Sequence, residues 1–238
     1  MSLVGKRVVV VGGTSGIGLA TAKAFLEESA HVIIASRSVE KLSSAKQSLG
    51  DNVEGYQLDF RNEANVKAVF EQIREFDHLV VTAGDAPMGL FSELPVQSVK
   101  EAFEGKFWGQ YLTVHAAIPY LKKGGSITLT SGVFAVRPSV GATTLAAINS
   151  AVEGLVRGLS LELAPTRVNV VSPGLVDTPL FAGMPEEQRQ GMFAAVASKL
   201  PIGRVPTAEE VAQSYLYLAK NTIATGTVVY ADGGTRLV

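Results

Sequence analysis

The amino-acid sequence predicts an α/β protein: a doubly wound parallel sheet with helices on both faces, in three layers. Three observations predict it. Strand-like and helix-like stretches alternate along the chain. The strand-like runs are continuous Val and Ile, the composition of strands buried on both faces. The first of them ends in glycines that open directly into a helical stretch. At 238 residues, 47% hydrophobic and 18% charged, the chain can bury a large core and is too apolar to be disordered. No composition break or linker divides it, so residues 1–238 are expected to form one domain.

The elements follow in order. "RVVVVGG" is a short β-branched run ending in glycine, and "GIGLATAKAFLEES" carries apolar residues at helical spacing. "HVIIASR" and "VEKLSSAKQSL" repeat the strand–helix unit, as do "VEGYQLDF" and "ANVKAVFEQIREF". "HLVVTAG" precedes one long helix around "VKEAFEGKFWGQYLTVHAAIPYL". "GSITLTSG" is the next strand, "GATTLAAINSAVEGL" a helix of small residues, and "RVNVVSPG" and "GTVVYADGG" are the last strands. The helical connections make these strands parallel. One stretch, at about 177–210, interrupts the alternation with Pro, Gly and short helical patches. Long insertions at the carboxyl end of a strand in such sheets cover the ligand crevice, so it is expected to be a substrate-side lid.

Composition narrows the function. The net charge is −1 and Lys and Arg are interspersed with Asp and Glu, so no footprint for nucleic acid or an anionic membrane is present. The absence of cysteine excludes disulfides, thiol nucleophiles and Cys-ligated metals. "MSLVGKRVVVVGG" is a first strand rather than a signal peptide, and no apolar run approaches the ~20 residues that span a bilayer. A cytoplasmic protein with neither membrane nor nucleic-acid partner is expected. His31, His78 and His115 are too scattered to form a metal motif, and no metal is expected.

"GGTSGIG" at 12–18 joins the first strand to the first helix. Gly12 suits a sharp turn, Gly16 lets backbone approach a pyrophosphate, and Gly18 lets helix and sheet pack closely. The helix amino terminus then offers free N–H groups and a positive dipole end to phosphate. At the end of the second strand, an NAD site carries an acid for the ribose 2′-hydroxyl. Here the residues are Ser36 and Arg37. A guanidinium can grip a 2′-phosphate with paired charged hydrogen bonds, which favours NADP(H), although an Arg at a strand end is also an ordinary solvated residue.

With the glycine loop, "LDF" at 58–60, "TAG" at 82–84, "SPGLVDTP" at 172–179 and the terminal "ADGG", the chain resembles the short-chain dehydrogenase/reductase family along nearly its whole length. The resemblance implies a Rossmann-like fold, a nicotinamide cofactor, a small-molecule substrate and a homodimer or homotetramer. It places Thr14, Ser15 and Ile17 with Gly12, Gly16 and Gly18 around the phosphates, Asp59 and Phe60 beside the adenine, and Ala83 and Gly84 along the cofactor. Pro173, Gly174, Val176 and Thr178 would border the nicotinamide.

The family's catalytic set is Asn, Ser, Tyr and Lys, with Tyr and Lys four residues apart on one helical face. Aligning "SAVEGL" puts Leu145 at the Tyr position, Asn149 at the Lys position, Gly132, beside Ser131, at the Ser position and Lys106 at the Asn position. Residues 124–198 contain neither Tyr nor Lys, so no shift of register in this region restores the pair. The candidate catalytic residues become Lys106, Ser131 and Asn149. Lys106 has Ala102, Phe103, Gly109 and Gln110 as α-helical neighbours, none of them a carboxylate, and its family position points into the cleft. There it would stabilise an oxyanion or donate a proton; the plainer reading is a Lys reaching past small neighbours into water. Tyr111 and Tyr120, five and fourteen residues on, lie off its face. The reading is an atypical NADP(H)-dependent oxidoreductase. The alternatives are a non-catalytic NADP(H)-binding or regulatory protein and, third, an isomerase.

Overall fold

The computed structural model describes residues 1–50, 52–84 and 86–238. Seven strands, β1 (Arg7–Val11), β2 (His31–Ser36), β3 (Val53–Gln57), β4 (Phe76–Val81), β5 (Leu121–Thr130), β6 (Arg167–Pro173) and β7 (Val228–Ala231), form one sheet. All pair in parallel, in the order β3-β2-β1-β4-β5-β6-β7. The chain reverses its direction of travel across the sheet between β1 and β4. The crevice outside the carboxyl ends of these two strands is where such sheets receive ligands.

The two-residue repeat of β1 divides the core. Val8 and Val10 point to one face, where α1 (Gly16–Glu27), α2 (Val39–Leu49) and α8 (Ala208–Lys220) contribute Phe25, Leu42 and Tyr215. Val9 and Val11 point to the other, where α3 (Glu63–Ile73), α5 (Gly109–Ala117) and α6 (Thr143–Glu162) contribute Phe70, Val114 and Val152. Three layers result, as the continuous Val/Ile runs require.

Two departures from the sequence expectation bear on the site. The helix expected around residues 99–121 runs continuously from Val96 to Ala117 but carries a π turn within it. α4 (Val96–Phe103) passes into a π turn at Glu104–Trp108 before α5, and a 3₁₀ turn closes it at Ile118–Tyr120. Tight packing accompanies the π turn: a Cβ on Gly109 would lie 1.9 Å from the Phe60 ring, and one on Gly105 would lie 2.9 Å from the Arg61 guanidinium. The second departure is α8, whose first turn falls within the stretch expected to be insertion. Thr207 and Glu210 form a capping box, and Tyr215 is buried with its hydroxyl 2.8 Å from Thr130 Oγ1.

The segment between β6 and α8 leaves and returns at one place. Asp177 bridges Thr207, and Asp177 N donates to the Pro206 carbonyl at 3.0 Å. Between these ends lie α7 (Glu186–Ala197), none of whose side chains is buried, and a T-shaped contact between Phe181 and Phe193.

Of the three histidines, only His78 is buried. Its Nδ1 is 2.8 Å from Ser126 Oγ, and burial draws its pKa down to about 4. It is a neutral packing group within β4. Among the described residues, no three His, Cys, Asp or Glu gather as metal ligands, and no helix is long and apolar enough to cross a membrane.

Candidate functional site

The glycine loop sits at the switch point. Gly12 N donates to the Ala35 carbonyl, and Thr82 N donates to the Val11 carbonyl, so β1 holds the loop between its two neighbours. Gly12 has φ +89°, and a Cβ there would lie 2.8 Å from Ala83 N. A Cβ on Gly18 would lie 2.1 Å from the Gly12 carbonyl oxygen. Only glycine permits either approach. Ser15 precedes α1 without a side-chain cap bond, so the first N–H groups of a twelve-residue helix face outward with the positive end of its dipole. Thr14 Oγ1 donates to Ser36 Oγ at 3.2 Å and ties the loop to the end of β2; Ile17 packs its side chain into the α1–α8 contact. A loop with no room for side chains beside an uncapped helix start fits a pyrophosphate.

The end of β2 presents the second feature. Arg37 is exposed, with its guanidinium 5.8 Å from the Phe60 ring centroid. Its carbonyl accepts from Gln57 Nε2 at 3.1 Å. Phe60 is pressed against Gly109. Asp59 turns its carboxylate to the Arg61 N–H at 3.1 Å, and its own N–H donates to Asn65 Oδ1 at 2.7 Å. An exposed cation thus stands beyond β2, as a 2′-phosphate would need, with the buried Phe60 ring close by.

From the opposite side, the chain after β6 comes back over the loop. A Cβ on Gly16 would lie 3.3 Å from the Thr178 side chain. Pro173 ends β6, Val176 is buried, and Gly174 passes so close to the carboxyl-terminal segment that a Cβ would lie 2.9 Å from Thr235 Oγ1. The Gly12–Gly18 and Pro173–Thr178 segments therefore meet at the switch-point crevice, in contact at Gly16 and Thr178.

The floor of the cleft is built from α6, the end of β5 and the π turn. Leu145, Asn149 and Glu153 lie four residues apart, hence on one face of α6. Asn149 is 1% exposed, and its amide packs so closely on Gly132 that a Cβ there would lie 2.8 Å from Nδ2. Asn149 Oδ1 is buried with no hydrogen-bond partner among the described residues. Lys106 is 8% exposed, and its side chain lies along Gly84, where a Cβ would come within 2.9 Å of its Cγ. Gln110 fixes the π turn to β5. Its Nε2 donates to the carbonyls of Lys106 (2.9 Å) and Thr130 (3.0 Å), and its Oε1 accepts from Thr130 N (2.9 Å). The π turn replaces the α-helical neighbours expected for Lys106, and such turns recur at functional sites. Tyr111 points elsewhere, into an edge contact with Trp108 and a stack on His115.

Ser131 lies at the head of the cleft, but its hydroxyl is engaged. It donates to Glu153 Oε1 at 3.1 Å, and both side chains are buried. Glu153 is a site residue that the sequence pattern does not single out. A Glu four residues before Arg157 resembles a solvated helix pair; only its spacing from Asn149 hints otherwise. Burial pushes its carboxyl up, against the Ser131 hydrogen bond and the Arg157 charge. A carboxyl raised in the folded state favours folding below its ordinary value of 4.5 and loses that contribution as pH rises through the folded value. Glu153→Gln should therefore gain stability relative to the parent between pH 5 and pH 7.5. Urea midpoints at both values check this, and a constant offset would show that the carboxyl titrates normally.

The model of the family described as enoyl-(acyl carrier protein) reductase matches residues 11–236. The short-chain dehydrogenase/reductase ATR9 of Stachybotrys chlorohalonatus is 32% identical over 250 residues, covering 98% of each chain. A small-chain dehydrogenase solved in complex with NADPH is 41% identical with a TM-score of 0.87, covering 98% of this chain and 100% of the other. An NADPH-bound short-chain oxidoreductase from Pseudomonas aeruginosa PAO1, described as containing an atypical catalytic center, is 28% identical with a TM-score of 0.91 over 96% of both chains. A glycine loop at the switch point, a cation beyond β2 and full-length likeness to these proteins give one conclusion: the chain belongs to the short-chain dehydrogenase/reductase family.

Proposed function

We propose that this protein is an NADP(H)-dependent oxidoreductase with a non-standard catalytic set, acting on a carbonyl/alcohol pair or an enone. The observation that carries the reading is Lys106, buried against Gly84 after β4, while the family resemblance aligns Lys106 with the family's Asn and Leu145 and Asn149 with its Tyr and Lys. The NADPH complex of the 41%-identical relative supports the cofactor, and the 28%-identical relative, NADPH-bound with an atypical centre, supports the pairing of this fold with unusual catalytic residues.

NADPH, when bound, supplies the hydride. Gly12, Thr14, Ser15, Gly16, Ile17 and Gly18 hold its phosphates, and Arg37 with Ser36 meets the 2′-phosphate. Asp59 and Phe60 receive the adenine, Ala83 and Gly84 line the chain between, and Pro173, Gly174, Val176 and Thr178 wall the nicotinamide. Asn149, at the position of the family's Lys, takes a ribose hydroxyl. The Lys106 ammonium donates a proton to the carbonyl oxygen as negative charge develops there, and recovers one from water afterwards. Ser131 and Glu153 hold the Gly132 wall against Asn149. Residues 177–210 act as the lid of this single domain. Exposed Trp108 on the π turn and exposed Tyr111 and Leu161 on α5 and α6 support a homodimer or homotetramer.

The test is a panel of ketones, aldehydes and enones with NADPH, following loss of reduced-nicotinamide absorbance. Tight cofactor binding without turnover across the panel would remove the enzymatic reading. A second expectation separates this centre from a merely decayed one. Leu145→Tyr with Asn149→Lys should not create an efficient reductase. Gly132 and Lys106 remain foreign to the usual relay, and a phenol must enter a site packed around Leu. Robust ketone reduction by the double variant, with the parent inert, would identify a decayed reductase instead.

A further inference from the structure

The loops that leave β4, β5 and β6 bear on which substrate the cleft receives. These strands are neighbours in the sheet, so their carboxyl-terminal loops, 86–95, 131–142 and 174–185, stand side by side at the cleft mouth. Gly89 N donates to the Gly141 carbonyl at 2.9 Å and joins the first two. Each loop exposes large apolar side chains: Met88, Leu90 and Phe91 on the first, Val136 and Val140 on the second, Leu180 on the third. Phe91 is 82% exposed and Val140 87%. Residues 86–95 contain one charged side chain, Glu93, and 174–185 one, Asp177, whose backbone is tied to Pro206 and Thr207. In 132–142 the one charge is Arg137, whose Nε donates to the Val238 carbonyl at 2.7 Å. Apolar surface gathered on three loops around a cleft marks a site for an apolar ligand. Leu145 carries the same character onto the α6 floor.

We propose that this rim receives the apolar body of the substrate, so that the substrate class is ketones or enones with an extended aliphatic part rather than small polar carbonyl compounds. The inference rests on the reductase reading for the chemistry but on the rim alone for binding. Each methylene laid on Met88, Leu90, Phe91, Val136, Val140 and Leu180 leaves water, a gain that a small polar carbonyl compound does not make.

The test uses the full chain saturated with NADP⁺, which cannot reduce a ketone, and methyl ketones from 2-butanone to 2-decanone, with affinity read by calorimetry. Affinity should rise about two- to fourfold for each added methylene that the rim covers. Phe91→Ser with Val140→Ser, at exposed positions outside the core, should flatten that rise by about tenfold at 2-decanone. NADP⁺ and 2-butanone should bind as in the parent. Chain-length-independent affinity, or no ketone binding at any length, would overturn the proposal. So would a double variant that loses its oligomeric state on sedimentation while keeping the parent's ketone series, because the rim would then be a contact between copies. The same ketones with NADPH separate the two readings: chain-length-dependent binding without NADPH consumption sustains the rim and sinks the reductase.

Discussion

Lys106→Met is expected to lower kcat on any reducible substrate by about 100-fold or more, with little change in NADPH affinity. Methionine keeps most of the stem that lies along Gly84 and removes only the ammonium. Most of the cofactor contacts proposed above lie on the glycine loop, the end of β2 and the segment after β6, away from the change, and the stem that methionine keeps still lies on Gly84. A donor aimed at developing charge in a water-poor site contributes on the order of 3–4 kcal/mol to the transition state and far less to the ground state. The loss should therefore appear in kcat rather than KM. Gln110 anchors the backbone of the π turn through Thr130 and the Lys106 carbonyl, so the turn should keep its place in the variant. The measurement is steady-state kinetics of both proteins, with NADPH titration as the control for an intact cleft. Equal turnover by the variant and the parent would make the lysine a bystander and leave Ser131 or water to supply the proton.

What the sequence could and could not disclose follows from the range of the forces involved. Strands β1, β2, β4 and β6 were legible because burial on both faces leaves only Val, Ile and their like possible. The glycine loop was legible because the same three positions must lack a Cβ wherever this turn approaches a phosphate. The π turn was not. Its flanks keep an apolar pattern that a regular α-helix would share, and the tight contacts at Gly105 and Gly109 come from Arg61 and Phe60, some forty residues away in sequence. Helix α8 was hidden by the Pro and Gly before it, although Val211, Ala212, Tyr215, Leu218 and Ala219 repeat at helical spacing. Glu153 was hidden for a related reason. Its partner Ser131 lies at the end of another element, and no local pattern distinguishes a buried carboxyl from a solvated one.

The affinity ratio between NADPH and NADH is the expected signature of Arg37, and Arg37→Ala should abolish it. In the parent the exposed guanidinium stands beyond Ser36, 5.8 Å from the Phe60 ring centroid, where the 2′-substituent of the adenosine proposed above would meet it. A planar fork there meets a phosphate with two charged hydrogen bonds, and a 2′-hydroxyl with at most one neutral bond. Losing a charged hydrogen bond costs about 1.5–3 kcal/mol. Arg37 is exposed, and solvent screening moves the expectation to the lower part of that range, roughly tenfold in Kd for NADPH. NADH should bind the parent and the variant alike, because the pyrophosphate and adenine contacts are unchanged. Added salt should weaken NADPH binding to the parent more than to the Ala variant, since the charge pair is the part that ions screen. Fluorescence titration of both cofactors against both proteins at low and moderate salt decides it. Equal affinity of the parent for NADPH and NADH would show that the end of β2 does not read the 2′-phosphate, and would turn attention to Arg61, held against Gly105 on the far side of Phe60.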